Sequence, residues 1–149
     1  MIFEAQVTID ATRAAVWSAM TDVENAPKII RGIQSVEILE RPAAGLVGLK
    51  WRETRILFGK PAAVDKWIIE AAENEFYETR AESDGSVFLS TMTISESGGA
   101  VTLRSTHVAE PQSSIARVLS IPMGFLFKGM ATKALQQDLN DIKAAVERR

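Results

Sequence analysis

The amino-acid sequence predicts an α+β domain: one curved antiparallel sheet of about seven strands wrapped around a long C-terminal helix, with two short helices after the first strand. Three observations predict it. From Ile33 to Ala109 the chain reads as an unbroken series of turn-bounded β-segments. One alternating apolar segment precedes them, separated from them by two helix-start signals. The single long helical segment comes last, from about Ser113 to Arg149. Strands joined by short turns pair antiparallel. A sheet of this size twists, its concave face must be covered, and the terminal helix is the one element long enough to cover it.

The elements follow in order. Phe3, Ala5, Val7 and Ile9 alternate with Glu4, Gln6 and Thr8, which is a half-buried strand. Asp10 is placed to cap a helix from Ala11 to about Met20. Asp22 is placed to cap a second, short helix through Ile30, with Pro27 limiting its regularity and Gly32 ending it. Strands are then expected at 33–39, 49–58, 64–71, 76–82, 87–95 and 101–109. Between them lie turn signals at Pro42–Gly45, Gly59–Pro61, Glu73–Asn74, Asp84–Gly85 and Ser97–Gly99.

The last helix has two halves of different character. Ala131, Leu135, Leu139, Ile142 and Val146 recur at spacings of three and four, with Lys133, Gln136, Asn140, Lys143 and Glu147 opposite. The first half, with Ile121, Met123, Phe125, Leu126, Phe127 and Met130, is apolar all round, and Pro122 and Gly124 predict a kink or short break. Such a segment is either a well-buried core helix or the wall of an apolar space. The second reading has 121–134 lining and gating an internal pocket.

Composition narrows the function. At 149 residues the chain is the size of one domain and buries roughly two thirds of its unfolded surface. No Cys is present and His107 is the single histidine, so no disulfide framework, thiolate chemistry, metal site or cofactor is expected. The formal net charge of −2 supplies no basic field for nucleic acid. The start carries no signal-peptide pattern, and Arg117, Lys128 and Lys133 interrupt the most apolar run, so a cytoplasmic protein without a membrane span is expected. Neither a phosphate loop nor a nucleophile elbow is present, and Ser90–Thr91 and Ser113–Ser114 have no His or carboxylate at motif spacing.

The order of elements resembles the helix-grip fold of the START and polyketide cyclase-like superfamily (SRPBCC), of polyketide cyclase/dehydrase and lipid-transport type. The resemblance is carried by Val7–Ala11 with Ala15-Val16-Trp17, by Asp22-Val23-Glu24 before Pro27, and by Ile33–Glu37. It is carried also by Gly48–Arg55 with Phe58-Gly59-Lys60, and by Asp138-Leu139 with Ile142-Lys143 and Glu147. It spans nearly the whole chain. It implies a cavity between sheet and helix, but not its use: the superfamily includes lipid carriers, hormone receptors, polyketide cyclases, ubiquinone-binding proteins and cochaperones.

Candidate site residues come from strand parity. Val101, Leu103, Ser105 and His107 share one side of their strand, which turns His107 inward. An inward His serves as general acid or base, as a ligand hydrogen-bond partner, or as a satisfied core residue. Trp51, Glu53, Arg55 and Leu57 share one side of theirs; periodicity does not orient it, and a cross-strand ion pair on the wet face is the alternative to a buried pair. Tyr77 is a hydroxyl donor at the cavity, with Thr79 beside it, or a core residue with its hydroxyl at the surface. Phe88, Ser90, Met92 and Ile94 form one expected inner face, and Trp67 with Ile69 another. The expected ligand-binding set is Trp51, Trp67, Tyr77, Phe88, Met92, Leu103, His107, Met123, Phe125, Phe127, Met130 and Ala134. The catalytic candidates are His107, Arg55, Glu53 and Tyr77.

Three functions stay open. The first is binding of a small hydrophobic molecule, such as a lipid, polyketide or isoprenoid. The second is a polyketide cyclase- or dehydratase-like enzyme using the same cavity. The third is an interaction module or homodimer in which apolar surface near 121–127 docks a partner. An interior of several hundred cubic ångströms favours the first two, a filled interior the third, and convergence of inward polar residues separates enzyme from carrier.

Overall fold

Both edges of the sheet come from the N-terminal part of the chain. In the computed structural model, which describes residues 2–57, 59–83, 85–111 and 114–148 (side chains of 110–128 excepted), β1 (Ile2–Ile9) forms one edge and β2 (Ser35–Glu40) the other. Between them in sequence lie α1 (Arg13–Thr21), a 3-10 turn (Val23–Asn25) and α2 (Ala26–Ile29). There follow β3 (Lys50–Leu57), β4 (Lys60–Ala72), β5 (Phe76–Ser83), β6 (Ser86–Ser97), β7 (Ala100–Pro111) and α3 (Ser114–Glu147). The seven strands run in the order β1-β7-β6-β5-β4-β3-β2, every neighbouring pair antiparallel. This is the expected meander, closed by β1 pairing with β7.

The core lies where the sheet meets α1 and α3. Ile9, Val16, Ile68, Val101, Leu103 and Leu139 are almost completely buried. The apolar stripe of α3 is the predicted one: Leu135, Leu139, Ile142 and Val146 are buried. The stripe's polar flank has a task of its own. Lys143 donates to the Thr8 carbonyl at 2.7 Å and Gln136 to the Gln6 carbonyl at 3.1 Å, while Glu147 accepts from the Asp10 amide at 2.7 Å. Helix side chains thereby occupy backbone groups that the edge strand would otherwise offer to a foreign strand.

Several expectations are corrected. α1 starts at Arg13, and its cap is Thr12, whose hydroxyl accepts from the Ala15 amide at 3.1 Å; Asp10 lies too early, at the end of β1. The second helix is a 3-10 turn followed by four residues, and the Asp22 carboxylate takes the Asn25 side-chain amide instead of a backbone amide. β4 starts at Lys60, so Pro61 belongs to the strand, opposite Ile56. α3 runs continuously from Ser114 to Glu147, so Pro122 and Gly124 do not break it.

Strand β4 also reverses a prediction of facing. Lys66 and Ile68 point inward, Lys66 opposite Trp51, whereas Trp67 pairs with Lys50 on the outer face, where the ammonium sits 5.7 Å from the ring centroid. Ile69 is exposed. Apolar residues occur at both parities here, and a lysine in the inward row concealed its true face.

Candidate functional site

A cavity of about 110 Å³ lies between the sheet, α1, the 3-10 turn, α2, the loop that follows it, and the second half of α3. It is smaller than the several hundred cubic ångströms expected of a roomy binding site, and it is not filled. Much of its wall is apolar: Met20, Val23, Ile29, Ile30 and Ile33 from the α1–β2 region, Leu135, Leu139 and Ile142 from α3, and Trp51 and Met92 from the sheet. The rest is polar and comes from five neighbouring strands and α3: Glu53, Arg55, Lys66, Thr79, Ser90, Ser105, His107 and Asp138.

The orientation of β3, which periodicity left open, is inward for Trp51, Glu53 and Arg55. Trp51 is 4% exposed and Glu53 8%. The buried charges pair with one another. Arg55 Nε donates to Glu53 Oε2 at 2.9 Å, and its two terminal nitrogens donate to the two oxygens of Asp138 at 3.2 and 2.7 Å. Lys66 Nζ donates to Glu53 Oε2 at 3.0 Å. Burial pushes the Glu53 carboxyl up, but Lys66 and Arg55 outweigh it and hold the group at about 2. Burial works against the Arg55 charge as well, and the bonds to Asp138 and the charge of Glu53 raise its pKa regardless.

His107 is inward, as parity requires. Its Nδ1 lies 3.0 Å from Ser90 Oγ and its Nε2 3.2 Å from Ser105 Oγ. Ser90 is the direct cross-strand neighbour of His107. The fold thus supplies the Ser–His contact that motif spacing did not show. Burial lowers the imidazole pKa to about 4, with Lys66 and Arg55 adding to that and Glu53 opposing it. The ring is therefore neutral at neutral pH and a weak base, which makes activation of Ser90 inefficient. Tyr77 is buried, its hydroxyl donating to the Met20 carbonyl at 3.1 Å and its ring edge-on to Trp17 at 6.3 Å between centroids. Burial pushes its phenol pKa up, and the charge of Glu53 adds to this.

Of the expected ligand-binding set, Trp51, Tyr77, Met92 and His107 line the cavity. Trp67 is on the outer face. Phe88 is on the inner parity but 37% exposed and outside the wall; Leu103 is sealed in the core. Met130 is 55% exposed and Ala134 is exposed, so on the described part of α3 the wall begins at Leu135. The side chains of Met123, Phe125 and Phe127 fall outside the described residues, as does the gating role read into 121–128.

Lys66, Asp138 and Asp141 were missed. Lys66 sits between Val64 and Ile68 on one strand face, and Asp138 and Asp141 border the apolar stripe of α3, so each carried a weak signal of partial burial. Asp141 is 9% exposed and accepts from the Arg31 amide at 3.0 Å and Arg31 Nε at 3.2 Å. Gly32 follows, and a Cβ there would lie 2.8 Å from Arg55 Nη1 and 3.3 Å from Asp138 Oδ1. Two carboxylates of α3 therefore hold the α2–β2 loop over the cavity, and glycine lets the second ion pair fit beneath it. Among the described residues no cluster of His, Cys, Asp and Glu is arranged to hold a metal, and no helix is long and apolar enough to cross a membrane.

Solved structures share this architecture. A START superfamily protein from Mycobacterium smegmatis superposes with a TM-score of 0.80 at 19% identity, covering 99% of this chain and 97% of that one. TTHA0849 from Thermus thermophilus gives 0.79 at 16%, covering 98% and 97%. The Zhui aromatase/cyclase from Streptomyces sp. R1128 gives 0.75 at 17%, covering 100% and 94%. At these identities the likeness establishes the fold. Among curated proteins none matches the chain. The family described as polyketide cyclase / dehydrase and lipid transport matches residues 1–147, and the chain belongs to it.

Proposed function

We propose that the protein binds a small, largely apolar molecule in the cavity between the sheet, α2 and α3. The observation that carries this reading is an interior left open beneath α2, apolar on the helix side and polar on the strand side. A site of that kind takes up an apolar body and orients one polar end of it. Family membership agrees, and so does the fold shared with a START superfamily protein and an aromatase/cyclase.

A second reading, a cyclase- or dehydratase-like enzyme, is favoured by the convergence of Glu53, Arg55, Lys66, Asp138 and His107 on one cavity. Against it, these groups are engaged with one another or with serines, and His107 is poorly basic. Binding is therefore placed first. Native mass spectrometry of protein purified from its own host is expected to show a copurified organic ligand. A hydrophobic fluorescent probe is expected to bind in the low-micromolar range, roughly −8 kcal/mol. Ala26→Phe, which fills the cavity from α2, is expected to abolish probe binding with the fold retained. Equal probe binding by the variant refutes the site. Conversion of the copurified ligand by the pure protein moves the enzyme reading to first place.

A further inference from the structure

The binding reading leaves open which chemistry the cavity selects, and one atom bears on it. Trp51 lines the cavity and is 4% exposed, yet its indole Nε1–H has no hydrogen-bond partner among the described residues. It is the single buried side-chain nitrogen or oxygen among them in that state. An indole N–H only donates, and a buried donor left without an acceptor is costly, so such groups are rare unless a ligand or water completes them. The ring is held rigidly: Trp51 lies in β3 between Ile38 of β2 and Lys66 of β4.

The other polar groups of the wall are spoken for. Glu53 and Asp138 carry two negative charges, and Arg55 and Lys66 two positive ones, all joined in the ion pairs described above. His107 is bonded to Ser90 and Ser105, and Tyr77 to the Met20 carbonyl. The cavity therefore holds no surplus cation for an ionised ligand. A carboxylate entering it would have to displace Glu53 or Asp138 from its partner or stand unpaired in a poorly solvated site. An uncharged oxygen needs a donor and nothing more.

Resting on the binding reading, we infer that the cavity selects an uncharged molecule with an acceptor oxygen, that Trp51 Nε1–H is the donor recognising it, and that the matching carboxylate is discriminated against. Trp51 is then a specificity determinant as well as part of the wall.

Three probes of similar size separate the possibilities: acetophenone, benzoate and isopropylbenzene, titrated into the ¹⁵N-labelled protein at neutral pH. Acetophenone is expected to shift the Trp51 indole resonance downfield, and isopropylbenzene is expected not to. Acetophenone is expected to bind at least about tenfold tighter than benzoate. Trp51→Phe, which keeps an aromatic ring and removes the donor, is expected to weaken acetophenone about tenfold and leave isopropylbenzene within about twofold. Benzoate binding as tightly as acetophenone overturns the inference, because an incoming anion would then be freeing Arg55 or Lys66. An indole resonance indifferent to acetophenone overturns it too, and needs no variant to fold. If isopropylbenzene binds and acetophenone shows no dependence on Trp51, the inference fails while the binding reading stands. If none of the three binds, the binding reading falls with it.

Discussion

Glu53→Gln probes the buried charges with an almost isosteric change. Glu53 is 8% exposed and is the shared acceptor of Arg55 and Lys66. The substitution removes the anion and leaves both cations in place. Arg55 keeps Asp138, but Lys66, whose side chain is 23% exposed, loses its ion pair. Removing one partner of a buried pair costs about 3–5 kcal/mol, and the partial exposure of Lys66 lets water recover some of it. An independent route gives a similar figure. Glu53 titrates at about 2 rather than near its ordinary 4.5, which corresponds to about 3 kcal/mol of differential stabilisation of the ionised form. We expect about 3 kcal/mol of lost stability at pH 7, read as a lower urea midpoint at constant m-value. Lys66→Met in the same chain removes the stranded cation, so the double variant is expected to be more stable than Glu53→Gln alone. A loss below about 1 kcal/mol, or a double variant no better than the single one, would refute the view that these charges are buried and coupled.

Two further outcomes follow from the same geometry. His107 titrates at about 4, below its ordinary 6.5, so the folded state favours the neutral ring. Its contribution is complete above about pH 6.5 and is lost as pH falls towards 4, by about 3 kcal/mol in all; Glu53 contributes in the lower window, from about 4.5 to 2. Chemical unfolding of wild type and His107→Gln across pH 7.5 to 4 is expected to show a flatter profile for the variant, and parallel profiles would exclude a buried neutral imidazole. Gly32→Ala places a methyl group against Arg55 Nη1 and Asp138 Oδ1. It is expected to destabilise by about 1–3 kcal/mol, with most of the loss absent in an Arg55→Met background. A thermal-unfolding double-mutant cycle checks this, and equal losses in both backgrounds would show that the ion pair does not lean on the loop.

Much of the fold was legible because its signals are local. Alternation set the inward row of β7, turn residues set the hairpins, and the spacing of Leu135, Leu139, Ile142 and Val146 set the buried stripe of α3. The site was less legible because it is made of pairings between distant segments. Ser90 and His107 meet across a strand pair, seventeen residues apart, and Arg55 meets Asp138 eighty-three residues away. The parity of β3 put Trp51, Glu53 and Arg55 together but could not say which way they faced, since a buried ion pair needs a partner from another element to be credible. Lys66 hid the inward row of β4 by placing a charge where an apolar residue is expected. Thr12 rather than Asp10 caps α1 because β1 runs through Ile9, a boundary that propensity alone fixes poorly.

The charge network itself calls for a reason, since four charges at one cavity seldom stabilise a protein better than apolar residues of equal volume would. Stability is therefore a weak explanation for Glu53, Arg55, Lys66 and Asp138. Geometry offers a better one. Arg55 spans from β3 to α3 through Asp138, and the adjacent Asp141 takes the backbone of Arg31, so the network fixes the helix, the sheet and the α2–β2 loop around one opening. An apolar filling would close that space, because side chains without directional bonds pack until no gap remains. Paired charges resist collapse: each must keep its partners at hydrogen-bond distance, and none can be pressed into Ile29, Ile30 or Leu139 without losing them. The network thus holds open a cavity whose apolar wall would otherwise shut, which is what a protein needs if its interior is to receive a guest.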